Sequence, residues 1–373
     1  MENNRLKTNF LGLELDNPVI VSAGPWNGDG ARLRESLAAG AGAVVTESIV
    51  SDTMLDVRPR VACDERGAQN IRLYSDIQIE GWDREMSIAK ADGGIVIASV
   101  SGHSPSEVAY LAGKLEKFGA DAIEISVSNP AVESLEVMAS NAETIYNMTK
   151  EVVSTVKIPV TVKLSQNTTN ISKVAKAVKE AGGSGVSAIN TVRGILGVDI
   201  ETAKPTLATY GGISGEYIRP LGLACVATIA QTVDIPVCGI GGISSAENAL
   251  EYIMLGAGAV QIGTAVLVEG KDTIRKIVQN LDEWTARKGL SSLEEIRGTA
   301  LANLKSYDEM KFEPSVSTVN GAECTENCEK CITVCMYGAI TRKSGRINVD
   351  SGKCTGCGIC TFICPAKKLK LGW

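Results

Sequence analysis

Through the first 270 residues, short β-branched runs alternate with amphipathic stretches, a cadence that buries parallel strands beneath helices. Eight runs read as strands, at residues 18–22, 43–46, 95–99, 122–126, 160–164, 185–190, 236–239 and 259–263. Residues 105–118, 172–181 and 246–255 read as helices between them, and Gly40, Gly119, Gly182 and Gly256 close helices just before a strand. Eight strands in that order predict an α/β fold, a (β/α)₈ TIM barrel; the rival is a doubly wound open sheet. In such a barrel chemistry sits at the C-terminal ends of the strands, which draws attention to Gly24, Glu47, His103, Asn129, Lys163, Asn190 and Gly241. Residues 272–288 and 293–304 read as two further helices before a boundary near Lys311, giving a barrel domain at 1–310 and a tail at 311–373.

The tail concentrates the cysteines: eight of eleven fall between Cys324 and Cys364. The second run, Cys354-x2-Cys357-x2-Cys360-x3-Cys364-Pro, has the bacterial ferredoxin spacing, in which three thiolates hold one cluster and the fourth reaches the other. This assigns Cys324, Cys328, Cys331 and Cys364 to one [4Fe–4S] cluster, and Cys354, Cys357, Cys360 and Cys335 to a second, in a small ferredoxin-like domain. The first run departs by one extra residue between Cys324 and Cys328 and by Met336 where proline is usual. A pair of zinc sites is the alternative. Clusters pass single electrons, so a barrel joined to them calls for a cofactor that exchanges one and two electrons, such as a flavin.

Charge and hydropathy remove other classes. The formal charge of -6 argues against a nucleic-acid surface, and two clusters would take it to about -10. An electron partner with a basic docking face fits that balance. No apolar run approaches the length of a membrane span and the N-terminus lacks a signal-peptide core, so the expectation is a cytoplasmic protein without a membrane partner.

Within the barrel, Gly239-Ile-Gly-Gly242 after strand seven and Gly263-Thr264 after strand eight sit where barrels bind a phosphate. Lys163, near the end of strand five, needs an anionic or acceptor partner if buried. A reduced flavin, negative near N1, would supply one; the alternative is Glu124 on the neighbouring strand.

Several segments carry a family likeness: Asn17-Pro-Val-Ile-Val-Ser-Ala-Gly24, Arg58-Pro-Arg60, Asn70-Ile-Arg-Leu-Tyr-Ser75, Val162-Lys-Leu164, Ala188-Ile-Asn-Thr191, Gly211-Gly-Ile-Ser-Gly215, Gly239 to Gly242 and Gly263-Thr264. With the cysteine tail, they resemble the dihydroorotate dehydrogenase superfamily, most closely the FMN and ferredoxin domains of dihydropyrimidine dehydrogenase and its bacterial catalytic subunit. The resemblance implies FMN held by Ala23, Gly24, Thr46, Lys163, Asn190, Thr191, Ser214, Gly215, Gly241, Gly242, Gly263 and Thr264. It implies substrate contacts at Asn70, Ser126 and Asn190, and a homo- or hetero-oligomer.

Two positions depart from the family. Its Asn-x-Ser-Cys-Pro loop, which carries a substrate amide and the proton-transferring cysteine, is here Ser126-Val-Ser-Asn-Pro130, and its lysine after strand two is Glu47. The amide of Asn129 is no acid at neutral pH, and Glu47 would repel an anion such as orotate. Candidates for the missing proton donor are His103, the only histidine; Glu47, unless it pairs with Arg58 or Arg60; and Cys63. Cys225 and Cys238 read as buried structural thiols. The resulting expectation is an FMN and iron–sulfur oxidoreductase acting on a C=C or CH–CH bond of a small carbonyl compound. No dinucleotide fingerprint appears, so electrons would come from a donor protein or an FAD/NAD(P)H subunit. The alternatives are an electron-transfer subunit without a small-molecule substrate, and a dihydropyrimidine dehydrogenase with a relocated acid.

Overall fold

A computed structural model describes residues 5–52, 57–310, 315–320, 328–343 and 345–371. The chain divides into two compact units, Met1–Leu304 and Lys305–Trp373, a few residues ahead of the boundary read near Lys311.

The first unit is a closed parallel barrel of β1 (Val19–Val21), β2 (Ala43–Val45), β3 (Val96–Val100), β4 (Ala122–Ser126), β5 (Val160–Leu164), β6 (Gly185–Ala188), β7 (Val237–Ile240) and β8 (Ala259–Ile262). Neighbours pair in chain order and β8 closes on β1 through Val260 opposite Val19. Every residue of β3, β4 and β5 is buried, because a barrel strand faces the packed interior on one side and helices on the other. The helix Pro105–Lys117 starts where Ser104 accepts the Glu107 N–H, and Ala246–Met254 where Ser245 accepts that of Asn248.

One end of the barrel is plugged. The hairpin Thr8–Phe10 and Leu13–Leu15 sends Phe10, Leu11 and Leu15 against the inward residues Ile20, Ala43, Val45, Ile97 and Ala122. With that end filled by apolar side chains, polar chemistry is left to the C-terminal ends of the strands.

Two features differ from the sequence reading. Residues 293–304 form two 3₁₀ turns, Leu293–Ile296 and Leu301–Asn303, in place of one helix. The break falls at Gly298, whose φ of +74° turns its N–H onto the Ile253 carbonyl at 3.0 Å. An antiparallel sheet also forms from Val192–Gly194, Gly211–Gly215, Gly67–Asn70 and Val61–Cys63, in that order. Its strands are too short and glycine-rich to give a period-two hydrophobic signal.

The second unit contains the hairpin Ile340–Lys343 and Arg346–Val349, and the short helices Lys330–Thr333 and Ile359–Ile363. Its buried core is Cys331, Ile340, Cys360 and Leu369, little apolar surface for a free-standing fold. Among the described residues no helix is long and apolar enough to cross a membrane.

Candidate active site

A cleft of about 1480 Å³, measured with its open mouth, occupies the C-terminal end of the barrel. Seven of the eight strands deliver residues to its wall through their ends or the loops that follow; β3 is the exception. The cleft gathers Ala23, Gly24, Glu47, Asn70, Ser126, Asn129, Lys163, Asn190 and Thr191, together with Ser214, Gly215, Gly241, Gly242, Gly263 and Thr264. Three expected residues stand outside it. His103, in the loop after β3, is exposed, its N–H donating to Glu107 at 2.8 Å. Thr46 is buried and spends its hydroxyl accepting the Ser99 N–H at 2.9 Å, so it ties β2 to β3. Cys63 is exposed at the edge of the antiparallel sheet, and partial burial beside Asp64 raises its thiol.

Glu47 has a partner that sequence spacing did not indicate. Arg72 grips it with both arms, Nε donating to Oε1 at 2.5 Å and Nη2 to Oε2 at 2.7 Å, and also pairs with Asp76. Arg58 and Arg60 were the expected partners; the chain path over the cleft brings Arg72 to the carboxylate instead, and the charge of Arg60 also acts on it. Glu47 is 4% exposed, and burial raises its carboxyl above the ordinary value although Arg72 pulls the other way. A forked ion pair of this kind cancels the repulsion that Glu47 alone would exert on an anion, and it commits the Nε and Nη2 donors of Arg72 to carboxylates of the chain itself.

The loop over residues 126–130 is fixed by side-chain bonds. Asn190 donates to the Ser128 hydroxyl at 2.8 Å and carbonyl at 2.9 Å. Asn129 accepts the Ala131 N–H at 3.1 Å and reaches the Leu73 carbonyl at 3.4 Å, which turns it toward the segment carrying Asn70, Arg72 and Tyr74. Lys163 lies 3.8 Å from Glu124, the alternative partner named by the sequence.

The glycine wall opposite is built for close approach. Gly242 has φ +64°, and a Cβ there would stand 2.6 Å from the Gly215 carbonyl. Tyr252, which sequence reading passed over, sits buried beneath and donates its hydroxyl to the Gly241 carbonyl at 2.8 Å. Gly239 serves this packing: its Cβ would fall 2.5 Å from the Tyr252 ring. Thr264 donates to Ser214 at 2.8 Å, linking the eighth-strand loop to the antiparallel sheet. Gly242→Ala is expected to destabilise the fold by at least about 1–2 kcal/mol, the cost of a left-handed non-glycine residue before the carbonyl contact is counted. Denaturant titration checks this; unchanged stability would mean that the turn relaxes around the added methyl group.

Cys225 and Cys238 behave as packing groups, burial pushing Cys225 up to about 11 and Cys238 well above its ordinary value. In the second unit Cys335, Cys354, Cys357 and Cys360 line one small cavity. Cys331 and Cys364 are buried, Cys328 is half-buried, and Cys324 lies outside the described residues. Backbone N–H groups of Ser317, Ala339 and Lys368 donate to the sulfurs of Cys354, Cys335 and Cys364 at 3.3–3.5 Å.

A closed (β/α)₈ barrel with a glycine-walled cleft at its strand ends, joined to a 4Fe–4S segment, defines a flavoprotein oxidoreductase. Residues 5–284 match the dihydroorotate dehydrogenase family, and residues 347–367 match a 4Fe–4S binding domain. The chain belongs to the dihydroorotate dehydrogenase family. Its relatives include the dihydroorotate dehydrogenase B (NAD(+)) catalytic subunits of Thermoplasma volcanium, 36% identical over 302 residues, and Methanocaldococcus jannaschii, 35% over 302, each match covering 79% of this chain and 98% of the relative. That of Methanosarcina acetivorans is 37% identical over 295 residues, covering 78% and 94%.

Proposed function

We propose that this protein is an FMN- and iron–sulfur-dependent oxidoreductase that reduces or forms a C=C bond beside the carbonyl of an uncharged small molecule. The observation that carries this reading is the cleft itself: substrate amides at Asn70 and Asn190 stand with Lys163 and the glycine wall, while the guanidinium of Arg72 is spent on Glu47. The residues fit FMN. Gly215, Gly241 and Gly242 leave a cradle that a Cβ would fill, and Gln261 presents a buried oxygen without a hydrogen-bond partner at the cleft wall. Ala23, Gly24, Lys163, Asn190, Thr191, Ser214, Gly215, Gly241, Gly242, Gly263 and Thr264 would hold it. When bound, FMN supplies hydride exchange at one carbon of the substrate.

The chain's own residues do the rest. Asn70, Ser126 and Asn190 orient the carbonyl compound, and the fixed loop at Ser128 keeps the amide of Asn190 aimed. Lys163, in the cleft wall, would be the cation nearest the cofactor. The second carbon needs a proton: Asn129 lines the cleft but its amide cannot give one, and His103 lies exposed outside the cleft, while Glu47 can donate only after leaving Arg72. Relatives named for dihydroorotate act on an anion, whereas among the described residues the arginines lining this cleft, Arg66 and Arg72, each face a carboxylate of the chain, so a neutral substrate, dihydropyrimidines included, is favoured. An electron relay without a small-molecule substrate is the second reading, favoured by Asn129 at the family's acid position.

Cys335, Cys354, Cys357 and Cys360 would hold one cluster and Cys324, Cys328, Cys331 and Cys364 a second, and the pair would supply one-electron transfer from a donor protein or an FAD/NAD(P)H subunit. Cys357→Ser is expected to lower bound iron from about eight to about four atoms per chain. Iron analysis after anaerobic purification checks it, and an unchanged content refutes the ligand set. The function is tested by reducing the protein chemically and following flavin absorbance as uracil, thymine, orotate and neutral enones are added. Reoxidation by a neutral compound supports the reading; reoxidation by orotate alone, or by none, overturns it.

A further inference from the structure

Below the cleft lies a carboxylate that the proposed reaction does not use. Glu124, on β4, is fully buried. Gln261 donates to its Oε2 at 2.7 Å, while Oε1 makes no hydrogen bond. The cation beside Oε1 is Lys163 of β5, at 3.8 Å and itself 7% exposed. A half-satisfied buried carboxylate is costly, and a lysine just outside hydrogen-bond reach repays that cost only in part. Both side chains point inward, since β4 and β5 pair with Glu124 opposite Thr161 and Ser126 opposite Lys163; Lys163 therefore stands between Glu124 and the cleft.

We infer that Glu124 is a positioning residue that sets how much of the Lys163 charge reaches the flavin, and thereby tunes its potential. The inference rests on the FMN reading above. A lysine lining the cleft would favour the form of the flavin that carries negative charge near N1, and a carboxylate on the far side of that lysine would oppose it through a poorly screened interior. With Glu124 neutral, the full charge of Lys163 acts on the ring, so the reduced form gains.

The test uses the holoprotein, purified without oxygen and titrated spectroelectrochemically at the flavin band. Glu124→Gln keeps the shape and the bond to Gln261. It is expected to raise the ratio of reduced to oxidised FMN affinity about tenfold, which is about +30 mV for a two-electron couple. Lys163→Gln should move the potential down, and the double variant should match Lys163→Gln alone, because Glu124 acts through the lysine. Glu124→Asp, which withdraws the carboxylate by one methylene, should shift in the same direction by less and serves if the glutamine variant does not fold. A folded, FMN-loaded Glu124→Gln protein with unchanged potential overturns this inference alone, as does a shift that persists in the double variant. Wild-type protein that takes up no FMN overturns the cofactor reading and this inference together.

Discussion

Replacement of Asn129 by cysteine is expected to speed reoxidation of the reduced protein by uracil by about 10²–10⁴-fold, the range that a placed general acid contributes. Asn129 lines the cleft on a loop that Asn190 and Ser128 hold in place, so the exchange puts a thiol where the proton is required without moving its support. Cysteine is the smaller side chain, and the bonds it gives up, to Ala131 and Leu73, are both local to the loop mouth. Stopped-flow absorbance after anaerobic mixing measures the effect. An Asn129→Cys protein no faster than wild type would mean that position 129 does not face the reacting carbon, and the argument from the missing acid would fall with it.

Arg72→Met is expected to cost about 3–5 kcal/mol of stability at neutral pH, because it strands Glu47 in a buried site. The carboxyl of Glu47 already lies above its ordinary value through burial, and losing Arg72 removes the main pull downward. A group whose folded pKa exceeds its unfolded one favours the folded state at low pH and withdraws that support as pH rises through the folded value. The variant should therefore approach wild-type stability in acid and lose it on going toward neutrality. Adding Glu47→Gln should restore most of the loss at pH 7 and flatten the profile. Denaturant titrations across pH check both; a pH-independent deficit would assign the loss to the packing of Arg72 rather than to its charge.

How much of this was legible beforehand differs by residue. Runs such as Ala122–Ser126 and Val160–Leu164 declare themselves as barrel strands because both faces are buried, which makes them rich in β-branched and apolar residues apart from the inward Glu124, Ser126 and Lys163. The cysteine spacing is equally local, since one loop must place three sulfurs on one cluster. Lys163 and the Gly241-Gly242 turn were legible for the same reason, lying at strand ends where the barrel order sets the address. Tyr252 was not: it sits in a helix whose apolar face looks like ordinary core, and its hydroxyl meets Gly241 only after the chain folds back.

The sequence by itself therefore determined the barrel strands and the cysteine spacing of the tail, because each shows as a pattern among residues a few positions apart, whereas the hairpin that plugs one end of the barrel left no such pattern. Only the tertiary structure decided which charges meet. Arg72 reaches Glu47 across 25 residues and His103 turns out to solvent, while Glu124, one of two partners the sequence offered Lys163, is found beside it, because pairing of buried charges depends on how separate loops and strands converge. Spacing along the chain carries no record of that convergence.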